Sequence, residues 1–215
     1  MIFLFCTEWY NYLPLLQKII PMAGRPKIFN EHEAVEKATE VFRSKGYDTA
    51  SADELLGAMG IGKGSFYLAF KGGKQELYVR SLQQFSEQFY QKFLESVGNA
   101  ENKIEFIKQY FLSLADAPDC DKERGCYLGN ALVQLSEKDQ EIKKTTASLL
   151  KNLQQLFTDI IRKAQKNGQI KSTEDPEILG WHLSNLWNGI HVTRRMENSP
   201  ETLRPLITLN LKLIE

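Results

Sequence analysis

Lys63, Gly64, Ser65, Tyr67, Leu68 and Lys71 are the residues of this chain whose types and spacing point most directly to a chemistry. Wound as a helix they share one side, small at its start and cationic or hydroxylic further along. Such groups suit a phosphodiester backbone, because ammonium and hydroxyl groups donate to phosphate oxygens. Lys63, Tyr67 and Lys71 are therefore assigned to phosphates. Gly64 lets the chain come close to a duplex, and Gly64, Ser65 and Leu68 are placed at base edges, where Ser65 and Leu68 can touch a thymine methyl. The expected partner is a double-stranded DNA operator.

A second constellation lies further along. Phe106, Tyr110, Cys126, Tyr127, Trp181, Trp187, Asn188 and His191 sit on segments that read as helices and should converge. Aromatic walls with a few polar anchors suit an unidentified small-molecule effector, although the same residue types also make ordinary cores and subunit interfaces. No catalytic constellation accompanies them. There is no phosphate-binding glycine loop after a strand, no GxSxG, no HExxH and no paired motif carboxylates, so neither an enzyme nor a cofactor is expected. His32, His182 and His191 are too far apart in sequence to suggest a metal site.

The first set must be held by residues 51–70. Ser51 and Glu54 have the spacing of a capping box, in which hydroxyl and carboxylate each satisfy a backbone N–H, so a helix is expected from Ala52. Leu55, Leu56 and Met59 form its apolar face. Gly60 follows where a helix commonly ends in a left-handed residue. Gly60-Ile61-Gly62 is then the turn, Ile61 its apolar peg, and Phe66, Ala69 and Phe70 resume a buried face. Two short helices joined in this way read as a helix-turn-helix, or, taken alone, as an ordinary αα-hairpin.

The flanking residues favour the first reading. Gly46-Tyr47, Ser51, Met59-Gly60-Ile61, Lys63-Gly64-Ser65-Phe66-Tyr67, Phe70, Lys74 and Leu77 together resemble the DNA-binding domain of the TetR family of bacterial transcriptional regulators, over residues 25–77. The resemblance implies a three-helix DNA-reading domain, a larger helical domain for ligand sensing and dimerisation, and no catalysis. It also implies that Ser51 bonds a phosphate, in competition with its cap, and that Lys74 is a further DNA contact. The step from Phe70 to Lys74 is four residues here, where the family usually takes three. Gly125-Cys126 resembles a branch of the family in which a nearby cysteine senses oxidants or electrophiles. The other reading of Cys126 is a small buried packing residue.

The chain has 215 residues, enough for one large domain or two smaller ones. Its 27 Lys and Arg balance 27 Asp and Glu, so a nucleic-acid partner follows from where basic groups cluster and not from net charge. Cys6, Cys120 and Cys126 have neither disulfide-framework nor zinc spacing, which suits a reducing, cytoplasmic setting. Residues 1–21 are apolar in patches, but Glu8, Asn11, Gln17 and Lys18 break them up too much for a membrane span. They also lack the basic start of a signal peptide. Met22-Ala23-Gly24-Arg25-Pro26-Lys27 looks like a natural beginning, so 1–21 is expected to be an upstream extension. Arg25 and Lys27 would form a proline-stiffened arm on phosphates or in a minor groove.

The expected fold is all-α with about nine helices, divided into a DNA-binding domain at 22–73 and a ligand and dimer domain at 74–215. Asn30 should cap a first helix carrying Val35, Ala38, Val41 and Phe42 inward. Apolar periodicity then marks helices over 74–97, 101–115, 125–136 and 139–167, another from Pro176, and a last one over 200–214. The helix over 139–167 is apolar on more than one face, which points to burial against its own domain and a second subunit. A homodimer interface is accordingly expected at Leu149, Leu153, Leu156 and Ile160 on this helix and at Leu179, Leu183, Leu186 and Ile190 on the next. Residues 186–195 also resemble the dimer-forming helix of the family.

Overall fold

Most helix starts in this chain are set by side chains that accept the N–H groups left unpaired there, the helices from Lys63 and Gly73, with glycine before them, being the exceptions among the α-helices of the described residues. The computed structural model describes residues 29–117 and 123–215, and among them the chain forms nine α-helices and no strand. Asn30 Oδ1 accepts from His32 and Glu33 at the start of α1 (Glu31–Lys45). The capping box of Ser51 and Glu54 opens α2 (Ala52–Met59), and α3 (Lys63–Ala69) and the long α4 (Gly73–Asn99) follow. After α5 (Lys103–Ser113) comes a short 3-10 turn at Leu114–Asp116. Cys126 then caps α6 (Tyr127–Leu135), Asp139 caps α7 (Gln140–Lys166), Asp175 caps α8 (Pro176–Met196) and Ser199 caps α9 (Pro200–Leu211). The boundaries expected at 74–97, 101–115, 125–136 and 139–167 stand within two residues. Arg25, Lys27, the whole of 1–21 and Cys120 lie outside the described residues.

Two hydrophobic cores organise these helices. The first gathers Val35, Ala38 and Phe42 of α1, Leu55 and Met59 of α2, Phe66, Ala69 and Phe70 at α3, and Leu77, Tyr78 and Leu82 of α4. It is completed by Tyr127, Leu128, Ala131 and Leu135 of α6, with Ile142 of α7. Apolar packing thus runs through the position where a domain boundary was placed, between 73 and 74. The hydroxyls of Tyr127 and Ser81, 2.7 Å apart, satisfy each other inside that join. The second core joins the distal half of α4 to α5, α7, α8 and α9 through Phe93, Ile107, Phe111, Phe157, Leu183 and Ile207.

In the second core α7 crosses tightly on α8. A Cβ placed on Gly180 would stand 2.0 Å from Thr158 Oγ1, so glycine is what lets the two helices meet there. This crossing corrects the expected subunit interface. Leu153, Leu156, Ile160, Leu179, Leu183, Leu186 and Ile190 are each at most 8% exposed and belong to the core of their own chain, while Leu149 packs half-buried on the first core. The wide apolar stripe of α7 is explained by contact with α4, α6 and α8 of the same chain. What α8 leaves outside instead is a line of apolar side chains, Ile178, Trp181, Val192 and Met196.

Candidate nucleic-acid interface and cavity

The helix-turn-helix is fixed from both ends of α3. Gly60 takes the left-handed conformation (φ +67°), and its N–H and that of Ile61 return to the last carbonyls of α2, which turns the chain sharply into α3. Phe66, Ala69 and Phe70 enter the first core, with the Phe66 and Phe70 rings 5.3 Å apart. At the far end Arg80 of α4 lies 5.1 Å over the Phe70 ring, donates to the Ala69 carbonyl at 3.4 Å, and pairs with Glu31 and Glu76. With that side locked, Lys63, Gly64, Ser65, Tyr67, Leu68 and Lys71 are all exposed, Leu68 to 78%. An exposed leucine among lysines and hydroxyls gains nothing from water, so it is consistent with a surface meant to be covered.

Ser51 and Lys74 flank this face and differ from it. The Ser51 oxygen accepts from Glu54 N at 3.2 Å, which leaves its hydroxyl hydrogen available to donate, so capping and a phosphate contact are compatible. Glu54 also pairs with Lys45, and that contact first, then the bonds from Ser51, bring its carboxyl down to about 2. Lys74 is half-buried: its ammonium sits 4.9 Å over the Tyr47 ring and 3.4 Å from the Asp48 carbonyl. It braces the turn between α1 and α2, and so it presents less free charge than Lys63 or Lys71.

The second site is a cavity of about 360 Å³ where α4, α5, α6, α7 and α8 meet. Tyr110, Cys126, Tyr127, Trp187 and His191 line it, as expected from the sequence. Three of the expected residues do not. Phe106 packs behind the wall against Phe93 and Tyr110, Trp181 lies 47% exposed on the outer side of α8, and Asn188 is also exposed. Phe85 and Phe89, on the apolar stripe of α4, also line the cavity, and the sequence analysis did not single them out. They face the cavity because the stripe passes there from the first core to the second. Arg43 of α1 also reaches the cavity, and no local pattern marks it.

Polarity in the cavity is concentrated on α8. Trp187 and His191, one turn apart with ring centroids separated by 4.5 Å, are each only 7% exposed. Burial, followed by the charges of Arg194 and Arg195, lowers His191 to about 3, so its ring is neutral. Burial likewise pushes the Tyr110 and Tyr127 phenols well above 10. Across the cavity Cys126 Sγ accepts the Gly129 N–H at 3.3 Å, and Gly125 before it (φ +63°) lies against the Arg195 guanidinium. Arg195 donates to the Arg124 carbonyl at 2.6 Å, and Arg124 pairs with Glu40 of α1 at 3.0 Å. The cavity wall is therefore tied to the amino-terminal helices by polar contacts as well as by the shared core. Among the described residues no cluster of His, Cys, Asp and Glu could hold a metal, and no helix is long and apolar enough to cross a membrane.

A three-helix reader whose third helix has one open side, carried on a helical body with a cavity, defines the class of helix-turn-helix regulators. Residues 34–80 match the family of bacterial regulatory proteins designated tetR, and residues 100–209 match the tetracyclin repressor-like C-terminal domain. The chain belongs to the TetR family of transcriptional regulators. It is 25% identical over 176 residues to the HTH-type transcriptional repressor DhaR of Mycobacterium sp. strain GP1, covering 81% of this chain and 87% of the relative. With the repressor ComR of Escherichia coli strain K12 it shares 26% over 192 residues, or 88% and 91% of the two chains. Among solved structures, the fold resembles a cysteine variant of the regulator CifR in complex with a 26-bp operator duplex (TM-score 0.75, 23% identity, 89% of this chain and 100% of that one). It also resembles the reduced form of Escherichia coli NemR (TM-score 0.76, 18% identity, 86% and 96%).

Proposed function

We propose that the chain is a ligand-responsive repressor, which binds a near-palindromic operator as a homodimer and leaves it when a small molecule enters the cavity. The observation that carries this reading is the two-sidedness of α3, whose apolar side is locked in the core while its cationic and hydroxylic side is open. Lys63, Tyr67 and Lys71 bind phosphates, joined by the Ser51 hydroxyl, and Gly64, Ser65 and Leu68 meet base edges. Arg25 and Lys27 act as a flanking arm. Lys74 contributes through the turn that it braces. The names of DhaR and ComR, both repressors, and the operator complex of CifR support the assignment. The operator lies in the cytoplasm, and so does the protein.

For the dimer, the outward stripe of α8, with Ile178, Trp181, Val192 and Met196, replaces the buried leucines as the interface. A two-fold axis there presents α3 twice and makes the operator symmetric. Release needs only a difference in affinity: an effector that favours the DNA-incompetent spacing by about 1–3 kcal/mol weakens operator binding roughly 5- to 150-fold. Because Cys126 lines the cavity, an electrophile or oxidant can act there covalently. Loss of operator binding after mild peroxide, absent in Cys126→Ser, tests that branch.

The deciding experiment is selection of bound duplexes from a random pool. Enrichment of a near-palindrome, retained in a salt-sensitive manner, is the expected outcome. Retention without sequence preference would leave a helical binding module that does not read an operator.

A further inference from the structure

We propose that the effector is a planar, largely apolar molecule with one oxygen acceptor, a carbonyl or a carboxylate, seated against Trp187 and His191. The inference rests on the ligand-responsive reading and names the chemistry that its cavity selects. Three observations carry it. The first is shape: at about 360 Å³ the cavity is at the small end of ligand sites, and its walls are the rings of Phe85, Phe89, Tyr110, Tyr127 and Trp187, which favour a flat apolar body.

The second observation is a column of unmet polar atoms on one side of α8. Ser184 Oγ, Trp187 Nε1 and both ring nitrogens of His191 are buried and have no hydrogen-bond partner. Spacings of three and four residues put them along one helical face, and Trp187 and His191 both belong to the cavity wall. Buried polar groups are nearly always paired, so a site that keeps several unpaired is built for a partner that arrives later. The third is their polarity. Trp187 can only donate, and a neutral imidazole offers one N–H and one lone pair. Arg194, itself engaged in another contact, and Arg195 place positive charge beside the imidazole, which disfavours an incoming cation. Two N–H donors under that field call for an oxygen acceptor. None of the three nitrogens is open to water, so the ligand meets them only after the imidazole and the indole turn toward the cavity, and not by displacing solvent.

The test is calorimetric titration of the full chain, without DNA, by four single-ring probes: benzoate, acetophenone, toluene and benzylammonium. At least one of the two oxygen-bearing probes should bind saturably and about tenfold or more tighter than toluene, and benzylammonium should not bind. Whether benzoate or acetophenone is the tighter tells if the acceptor is charged, and either order supports the proposal. In His191→Phe, which keeps a ring but removes the donor, the preference for oxygen should fall to within about threefold; Trp187→Phe should lower it through the other donor. Toluene bound as tightly as both oxygen probes, tight benzylammonium, no saturable binding of either oxygen probe, or a full preference surviving in both variants would each overturn it. Because no operator is present, an oxygen probe that binds yet never loosens the protein from DNA would count against the repressor mechanism and leave the cavity chemistry standing.

Discussion

Helices α3 and α8 are both amphipathic, yet they distribute polarity in opposite ways. In α3 the ordinary rule holds: Phe66 and Ala69 go inside, while Lys63 and Ser65 go outside, followed by the exposed Lys71 in the turn after the helix. In α8 it is partly inverted, since Ser184, His191 and Arg194 are buried while Ile178, Trp181, Val192 and Met196 face out. A helix with one neighbour needs only one apolar side. A helix that packs on α7, borders a cavity and keeps a further apolar line outward must put different chemistry on each side. Departures from inside-apolar, outside-polar are where function is to be sought, because an exposed apolar line and a buried unpaired polar group each cost free energy unless something covers or meets them.

The sharpest way to strain the comparison is at the crossing of α7 and α8. Gly180→Ala forces a methyl onto Thr158 and should destabilise the fold by about 3 kcal/mol, read as a lowered midpoint in thermal or urea unfolding, with no contact to α3. An unchanged midpoint would mean that α8 is free to shift away from α7, and the tight-crossing account would fail.

Next in size is the pH dependence of the buried face. His191 is held at about 3 against an ordinary 6.5, so between those values the unfolded chain binds a proton that the native chain refuses. Its stabilising share is complete above pH 6.5 and is lost as pH falls toward 3, by up to about 2 kcal/mol at pH 5. His191→Phe should flatten the stability curve over that interval. Parallel curves for the two proteins would remove the buried neutral imidazole from the account.

On the outward face of α3 and the turn that follows it the expected effects are smaller. Lys71→Ala should lower the slope of log K against log salt by about one unit for any duplex, whereas Ser65→Ala should leave the slope and shift sequence preference by about 1 kcal/mol at one base pair. If the two variants behave alike, the division of this face into phosphate and base contacts is wrong. The smallest effect belongs to the cap that carries α2. Glu54 is lowered from 4.5 to about 2, so its contribution is present above pH 4.5 and disappears as pH falls toward 2. Glu54→Gln should therefore lose stability at neutral pH and approach the parent in acid, with little change in operator sequence preference.

How much of this was legible in the sequence follows the same contrast. Helix starts at Asn30 and Ser51 were readable because a cap is a local event, decided by a side chain and the backbone two or three residues on. The open side of α3 was readable because that helix packs on one side only. The buried leucines of α7 and α8 were misplaced because period alone reports that a stripe is apolar and not which neighbour covers it. Trp181 and Trp187 show the limit most plainly: they are six residues apart on one helix and of one type, yet one faces out and the other walls the cavity. Helix geometry alone sets them about 240° apart; which of the two sides walls the cavity is decided by the tertiary placement of α4, α5 and α7.

The shared core of the first three helices has an engineering consequence. Residues 127–142 supply Tyr127, Leu128, Ala131, Leu135 and Ile142 to it, so the reader is not a detachable head. A chimera that grafts 29–99 onto a foreign body would leave this core without those five residues, and the transplant has to bring α6 along or replace it with a segment of matching shape.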